Sequence, residues 1–228
     1  MKKRNLFFIG ITLVSSILFL SCGKDDESLI EENGLSKDIN DFMPQAILDT
    51  MESLGMPIFT GGNPRDIEGT YLVSPGILYA SNIEGDEIGE RYADENLSFS
   101  SQNNSNLSLT IKINDWSSEG EETGSYIVGD NNEFSVFTKM MMYDNEVNDS
   151  ALISYTCSGT ISEDGIEDLF ECLVMIDDFG DPNDQYIEIG AARVFYDEDG
   201  LAERMEETKS AVIGDDINYK KLKSATEN

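Results

Sequence analysis

Ala151-Leu152-Ile153-Ser154-Tyr155-Thr156-Cys157-Ser158-Gly159-Thr160-Ile161 is followed, after Ser162-Glu163-Asp164, by Gly165-Ile166-Glu167-Asp168-Leu169-Phe170-Glu171-Cys172-Leu173-Val174-Met175-Ile176-Asp177. Two runs rich in β-branched, aromatic and aliphatic residues meet at Asp164-Gly165, a strong short-range hairpin signal. A two-residue turn placed there sets Cys157 opposite Cys172, Tyr155 opposite Val174, Ile153 opposite Ile176 and Gly159 opposite Phe170. One face of the hairpin then gathers its apolar residues, as a correct register should. The two cysteines fall at a hydrogen-bonded site with Cα atoms about 5.5 Å apart. That separation lies inside the disulfide range of roughly 4.4–6.8 Å. A Cys157–Cys172 disulfide is expected, with two buried free thiols as the alternative.

Outward from this hairpin the same pattern recurs. Short alternating runs punctuated by Gly, Asn and Asp fall at about 66–74, 91–102, 105–116, 122–130, 133–143, 151–162, 166–177 and 185–196, which is an all-β signal. Leu107, Leu109, Ile111 and Ile113 alternate with Ser108, Thr110, Lys112 and Asn114, giving one buried and one wet face. Asn103-Asn104 and Asp130-Asn131-Asn132 suit tight turns. Only the link from 75 to 90 is long. Eight consecutive strands with short links describe an antiparallel up-and-down meander that can close into a barrel. Before it, Asp41-Phe42-Met43-Pro44 opens a short helix with Asp41 as its cap. Met43, Ile47, Met51 and Leu54 follow at helical spacing, and Gly55 is the stop.

The chain begins Met1-Lys2-Lys3-Arg4-Asn5 and continues as an apolar run from Leu6 to Leu20. A basic start and a short apolar stretch are read as a removable secretory leader. The run is about 15 residues, short of the roughly 20 needed to span hydrocarbon. Leu20-Ser21-Cys22-Gly23 resembles the lipobox of bacterial lipoproteins. That resemblance implies cleavage before Cys22 and acylation of its thiol, the membrane anchor of the mature chain. Lys24-Asp25-Asp26-Glu27 resembles the surface-export signal of Bacteroidetes lipoproteins, which implies the outer membrane and its outer face. A plain acidic tether is the other reading of that stretch. The chain divides accordingly into a signal peptide (1–21), an acidic tether (22–40), a helix-plus-barrel domain (41–205) and a polar tail (206–228).

Of 228 residues, 15 are Lys or Arg and 45 are Asp or Glu, a net charge of −30. Loss of residues 1–21 removes Lys2, Lys3 and Arg4 and no anion, which takes the charge to −33. Such a surface repels nucleic acid. It serves solubility, with cation binding as the sharper alternative. Two acidic loops invite a calcium reading, Asp177-Asp178-Phe179-Gly180-Asp181-Pro182-Asn183-Asp184 and Asp197-Glu198-Asp199-Gly200. Neither has the spacing of a calcium-binding loop, and turn chemistry accounts for both.

The chain contains no histidine. Ser-His-Asp and Cys-His machinery and paired-histidine zinc sites are therefore excluded. With three cysteines in all, one of them the expected anchor, no cysteine-based zinc site is expected. Carboxylates are so abundant that no chosen pair stands out as a glycosidase-like site. No enzymatic activity and no cofactor are expected. Asp149-Ser150-Ala151, read as a loop, and Asp49-Thr50-Met51, in the helix, both resemble the short O-glycosylation signal of Bacteroidetes.

Gly69-Thr70-Tyr71 opening the first strand, a long first loop and hairpin-linked strands after it resemble the lipocalin or calycin barrels. Asn63-Pro64 through Ser74-Pro75 is similar to the lipocalin-like lipoproteins of Bacteroidetes. The resemblance covers about 40–200. Lipocalins carry Trp where this chain has Tyr71, and a late Arg packs over it; Arg193 fills that part if its side chain turns inward. The resemblance implies a barrel whose interior holds a small apolar ligand, lined by Phe99, Ile111, Val136, Met140, Met142, Tyr155 and Phe170. Small barrels often fill themselves with side chains, so core is the first reading of these residues and pocket lining the second. The expected function is a non-enzymatic envelope lipoprotein binding a small apolar ligand or an envelope component. The alternative is a β-sandwich surface protein binding a protein or glycan on its outer face.

Overall fold

The computed structural model describes residues 29–205 apart from 115–118, 145–148 and 183. Cys22, the leader and the tail after 205 lie outside the described residues. The protein is mostly β. Among the described residues two helices, α1 (Lys37–Phe42) and α2 (Gln45–Ser53), precede eleven strands. These are β1 (Gly62–Pro64), β2 (Gly69–Val73), β3 (Gly76–Ser81), β4 (Glu95–Asn103), β5 (Ser108–Asn114) and β6 (Glu119–Asn131). They continue as β7 (Glu133–Asp144), β8 (Asp149–Ile161), β9 (Gly165–Asp177), β10 (Ala192–Asp197) and β11 (Leu201–Arg204).

One sheet holds all eleven strands. Its order is β11-β2-β4-β5-β6-β7-β8-β9-β10-β3, antiparallel throughout except for β1, which lies parallel to β6. A further pairing of β11 with β9 returns the path on itself through eight strands. The edge of β9 is shared: Gly165–Glu167 faces β11, and Phe170–Val174 faces β10. On the far side β10 lies against β3, and β11 against β2. Residues 69–81 and 192–204 are thus two interrupted strands lying side by side. Arg91 pairs with Ile77, which continues the register in which Glu95 faces Val73. The link expected over 75–90 therefore contains β3, and only 82–90 turns the chain. The last run begins late, because 185–191 is a loop whose Tyr186 and Ile187 are buried.

The hairpin that opens the sequence reading has a different register. Ile161 faces Ile166, so the turn is Glu163-Asp164 rather than Asp164-Gly165. Between Ser158 and Thr160 the register shifts, with Asp168 at φ 49°, a β-bulge. Beyond the bulge Thr156 faces Cys172, and Cys157 faces Glu171. A single residue of slip sends a side chain to the opposite face. Cys157 accordingly joins the inner cluster, Cys172 joins the outer one, and both are free thiols. The expected disulfide is not formed.

Two apolar clusters flank the sheet. The inner one draws residues from every strand of the ring, including Tyr71, Leu97, Ile111, Ile127, Phe134, Ile153, Leu173 and Ala202. The outer one fills the space between the helices and the sheet with Leu35, Ile39, Met43, Ile47, Met51, Val128, Phe137, Val174 and Val194. Burial of each large aliphatic or aromatic side chain stabilises by about 1.5–3 kcal/mol. The single helix expected from Asp41 is broken in two. Pro44 lacks an N–H and pushes Met43 into extended backbone (φ −101°, ψ 116°). Ser36, not Asp41, caps α1, its hydroxyl accepting the Ile39 N–H at 3.1 Å. Folded structure thus reaches back into the stretch read as tether, where Leu35 and Ile39 are buried.

Candidate functional site

Alternation along β4, β7, β8 and β9 decides which side chains enter the ring. Of the seven expected lining residues, Phe99, Ile111, Val136, Met140, Met142 and Tyr155 lie in the inner cluster. Phe170 does not. The bulge turns it outward, where it meets Tyr79 edge-on at 5.2 Å and Tyr196 at 6.2 Å.

The same correction brings a polar group inside. Glu171 takes the inward place opposite Cys157 and is 1% exposed. The Tyr155 hydroxyl donates a short hydrogen bond to Glu171 Oε1. Glu95 shares the inward face of β4 with Leu97 and Phe99 and is 2% exposed. Burial first, then the charge of Glu171, raises the Tyr155 phenol well above its ordinary range; Glu95 adds to the effect. Burial and the same two carboxylates likewise hold the Cys157 thiol protonated, and burial pushes Cys172 up to about 12. A protonated thiol is a poor nucleophile, so neither cysteine is chemically poised. Ser125 and Thr138 add a buried hydroxyl pair, 2.9 Å apart. Glu171 is absent from the sequence-based site because its face depends on the register of the β8–β9 hairpin, whereas Glu95 shares a face by alternation with the expected lining residue Phe99 and is overlooked. Glu171-Leu173-Met175 and Glu95-Leu97-Phe99 are the alternations that signal them.

Each end of the ring carries one arginine, and the two are held differently. At one end the Tyr71 hydroxyl donates to the Ile67 carbonyl at 2.9 Å, and burial raises its pKa to about 12. The Arg204 guanidinium lies 4.9 Å from the Tyr71 ring centre. It donates to the Tyr71 hydroxyl at 2.6 Å and to the Glu68 carbonyl at 2.8 Å. A Cβ at Gly69 (φ +150°) would fall 2.5 Å from Arg204 Nη1, so the glycine of Gly69-Thr70-Tyr71 makes room for that arginine. Arg204, not Arg193, is the late arginine on this aromatic. Arg193 does turn inward, but at the other end. Its Nε and Nη2 each donate to Asp86 at 2.7 Å, a bidentate pair buried to 2% and 5% side-chain exposure. Tyr92 packs there against Phe195 at 4.9 Å, and Ile83, Tyr186 and Ile187 join the inner cluster from the neighbouring loops.

The acidic loops use their carboxylates on their own backbone. Asp177 and Asp178 accept the N–H groups of Phe179 and Gly180, and Asp181 accepts those of Gln185 and Tyr186. Asp197 and Asp199 accept those of Asp199 and Leu201. Among the described residues no three carboxylates or thiols converge as a metal site would require. Ser150 of the first glycosylation-like triplet lies in β8 opposite Tyr143 rather than in a loop. Thr50 of the second donates to the Ala46 carbonyl within α2. No helix among the described residues is long and apolar enough to cross a membrane. No family model, curated protein or solved structure matches the chain.

Proposed function

We propose that the chain is a non-enzymatic envelope lipoprotein, anchored through Cys22 at the outer membrane and facing the cell exterior, that captures a small ligand inside a lipocalin-like barrel. The anchor and its placement rest on the leader, the lipobox-like Leu20-Ser21-Cys22-Gly23 and the acidic stretch after it. The barrel reading is supported by the ring of pairings through eight strands. The stack of Arg204 on Tyr71 behind Gly69 supports the lipocalin likeness.

One observation carries the ligand reading: Tyr155, Glu171 and Glu95 are buried together among the apolar side chains of the inner cluster. Burying carboxyl groups costs free energy that apolar residues of similar size would not. An apolar lining with a few convergent polar groups is the composition of small-molecule sites. This moves the expectation away from a wholly apolar ligand toward one with an apolar body and a hydrogen-bonding group.

Native mass spectrometry of the protein purified from its own host tests the reading. The expected spectrum shows a one-to-one non-covalent adduct, and its occupancy falls in Glu171→Gln. A spectrum of lipidated polypeptide alone, from protein that also fails to take up an apolar fluorescent probe stoichiometrically, overturns it.

A further inference from the structure

We propose that residues 82–89 form a strap across one end of the ring, latched by the Asp86–Arg193 ion pair, and that release of the latch opens the way to the interior around Tyr155 and Glu171. The proposal deepens the ligand-capture reading and takes its purpose from it, but its geometry stands independently.

The strap is pinned at its two feet. Asn82 N–H donates to the Ala192 carbonyl at 3.3 Å, and the Asn82 side chain accepts the Ala192 N–H and donates to the Gly190 carbonyl. At the other foot the Gly89 N–H donates to the Leu78 carbonyl at 2.8 Å. Between the feet only Ile83 and Asp86 are partly buried, while Glu84, Gly85, Glu87 and Ile88 are exposed, Ile88 to 62%. Segments with so few buried contacts open locally at far lower cost than the strands beneath them. Gly89 stands at φ +89° with open space where a Cβ would be, so the second foot is built on a residue of unrestricted backbone freedom.

What holds the strap down is directional. Asp86 accepts from the Nε and Nη2 groups of Arg193 and from the Ser81 hydroxyl at 2.6 Å. Arg193 sits on the inward face of β10 with Phe195, and Phe195 lies directly opposite Glu171. The latch is therefore one strand-step from the polar group it covers. A buried pair of this kind is close to all-or-none, since one partner without the other is a desolvated charge.

The interior thiol supplies the readout. In the full chain carrying Cys22→Ser, Cys157 inside the ring and Cys172 beneath the helices are the only thiols. Methyl methanethiosulfonate modification of each is followed by mass spectrometry. Asp86→Asn is expected to speed Cys157 modification at least about tenfold while leaving Cys172 slow. The double variant Asp86→Leu/Arg193→Met, a matched apolar pair, is expected to restore the slow rate. In the chain with both latch residues intact, Cys157 modification is expected to depend on urea more weakly than global unfolding does, as local opening requires. Equal acceleration of the two thiols, no acceleration of Cys157, or the full global urea slope at Cys157 would each overturn the strap. These measurements use no ligand, so a protein found empty by native mass spectrometry leaves their outcome intact.

Discussion

Arg193 and Arg204 stand on the same interrupted strand, 192–204, and are held at opposite ends of the ring by different physics. Arg204 is an exposed side chain whose flat guanidinium covers the Tyr71 ring and reaches one hydroxyl and one carbonyl. Its charge stays in contact with water, so no desolvation cost hangs on any one contact. Arg193 is 2% exposed, and its charge is compensated by a carboxylate that is itself buried. The first contact is tolerant and permanent. The second is strong only while complete, which is the property a latch needs.

The largest expected effect follows from that difference. Arg193→Met leaves Asp86 as a buried charge without its counter-ion, and should cost about 3–5 kcal/mol in urea unfolding. Arg204→Met removes a partly hydrated cation–π contact and two hydrogen bonds, and should cost about 1–2 kcal/mol. Equal costs for the two variants would break the comparison. A smaller cost for Arg193→Met would reverse it and place the tolerant contact at the Asp86 end.

The arginines also show what could be read in advance. The resemblance called for a late arginine over Tyr71, and Arg193 was the candidate because it lies in the eighth alternating run. Arg204 lies beyond that run, past Asp197-Glu198-Asp199-Gly200, a stretch that reads as a loop and ends the strand on paper. In the fold Asp197 still belongs to β10 and pairs with Gly76, only residues 198–200 interrupt the strand, and pairing resumes with β9 at Leu201 and with β2 at Glu203. Periodicity is a local signal, and it does not report that a strand continues after a break when its partner edge does. Ser74-Pro75 hid β3 behind β2 for the same reason. Eight of the eleven strands and six of the seven inward side chains were legible, because alternation separates the two faces of a strand before its partner is known. The disulfide and Phe170 were not. Both depended on the absolute register of one hairpin, which the turn position and the bulge at Asp168 changed by a single residue.

The smallest effect sits between the two arginines, at the break itself. Asp197 is 2% exposed and accepts the Ser74 and Asp199 N–H groups at 3.3 Å. Burial, helped by the neighbouring Asp199, raises its pKa to about 6, whereas in the unfolded chain it titrates near 3.9. The folded protein therefore holds a proton between those values that the unfolded chain has released. The stability this contributes is fully present below about pH 4 and is lost as pH rises through about 6. Asp197→Asn removes the titration, so its stability relative to the parent chain should climb from pH 4 to just above 6 and then level off. Urea midpoints at pH 4, 5, 6 and 7.5 measure this directly. Parallel curves for the two proteins would mean that Asp197 is ionised in the fold as readily as in water. The break between β10 and β11 would then be hydrated, and the two ends of the ring would be separated by solvent rather than joined by a buried carboxyl.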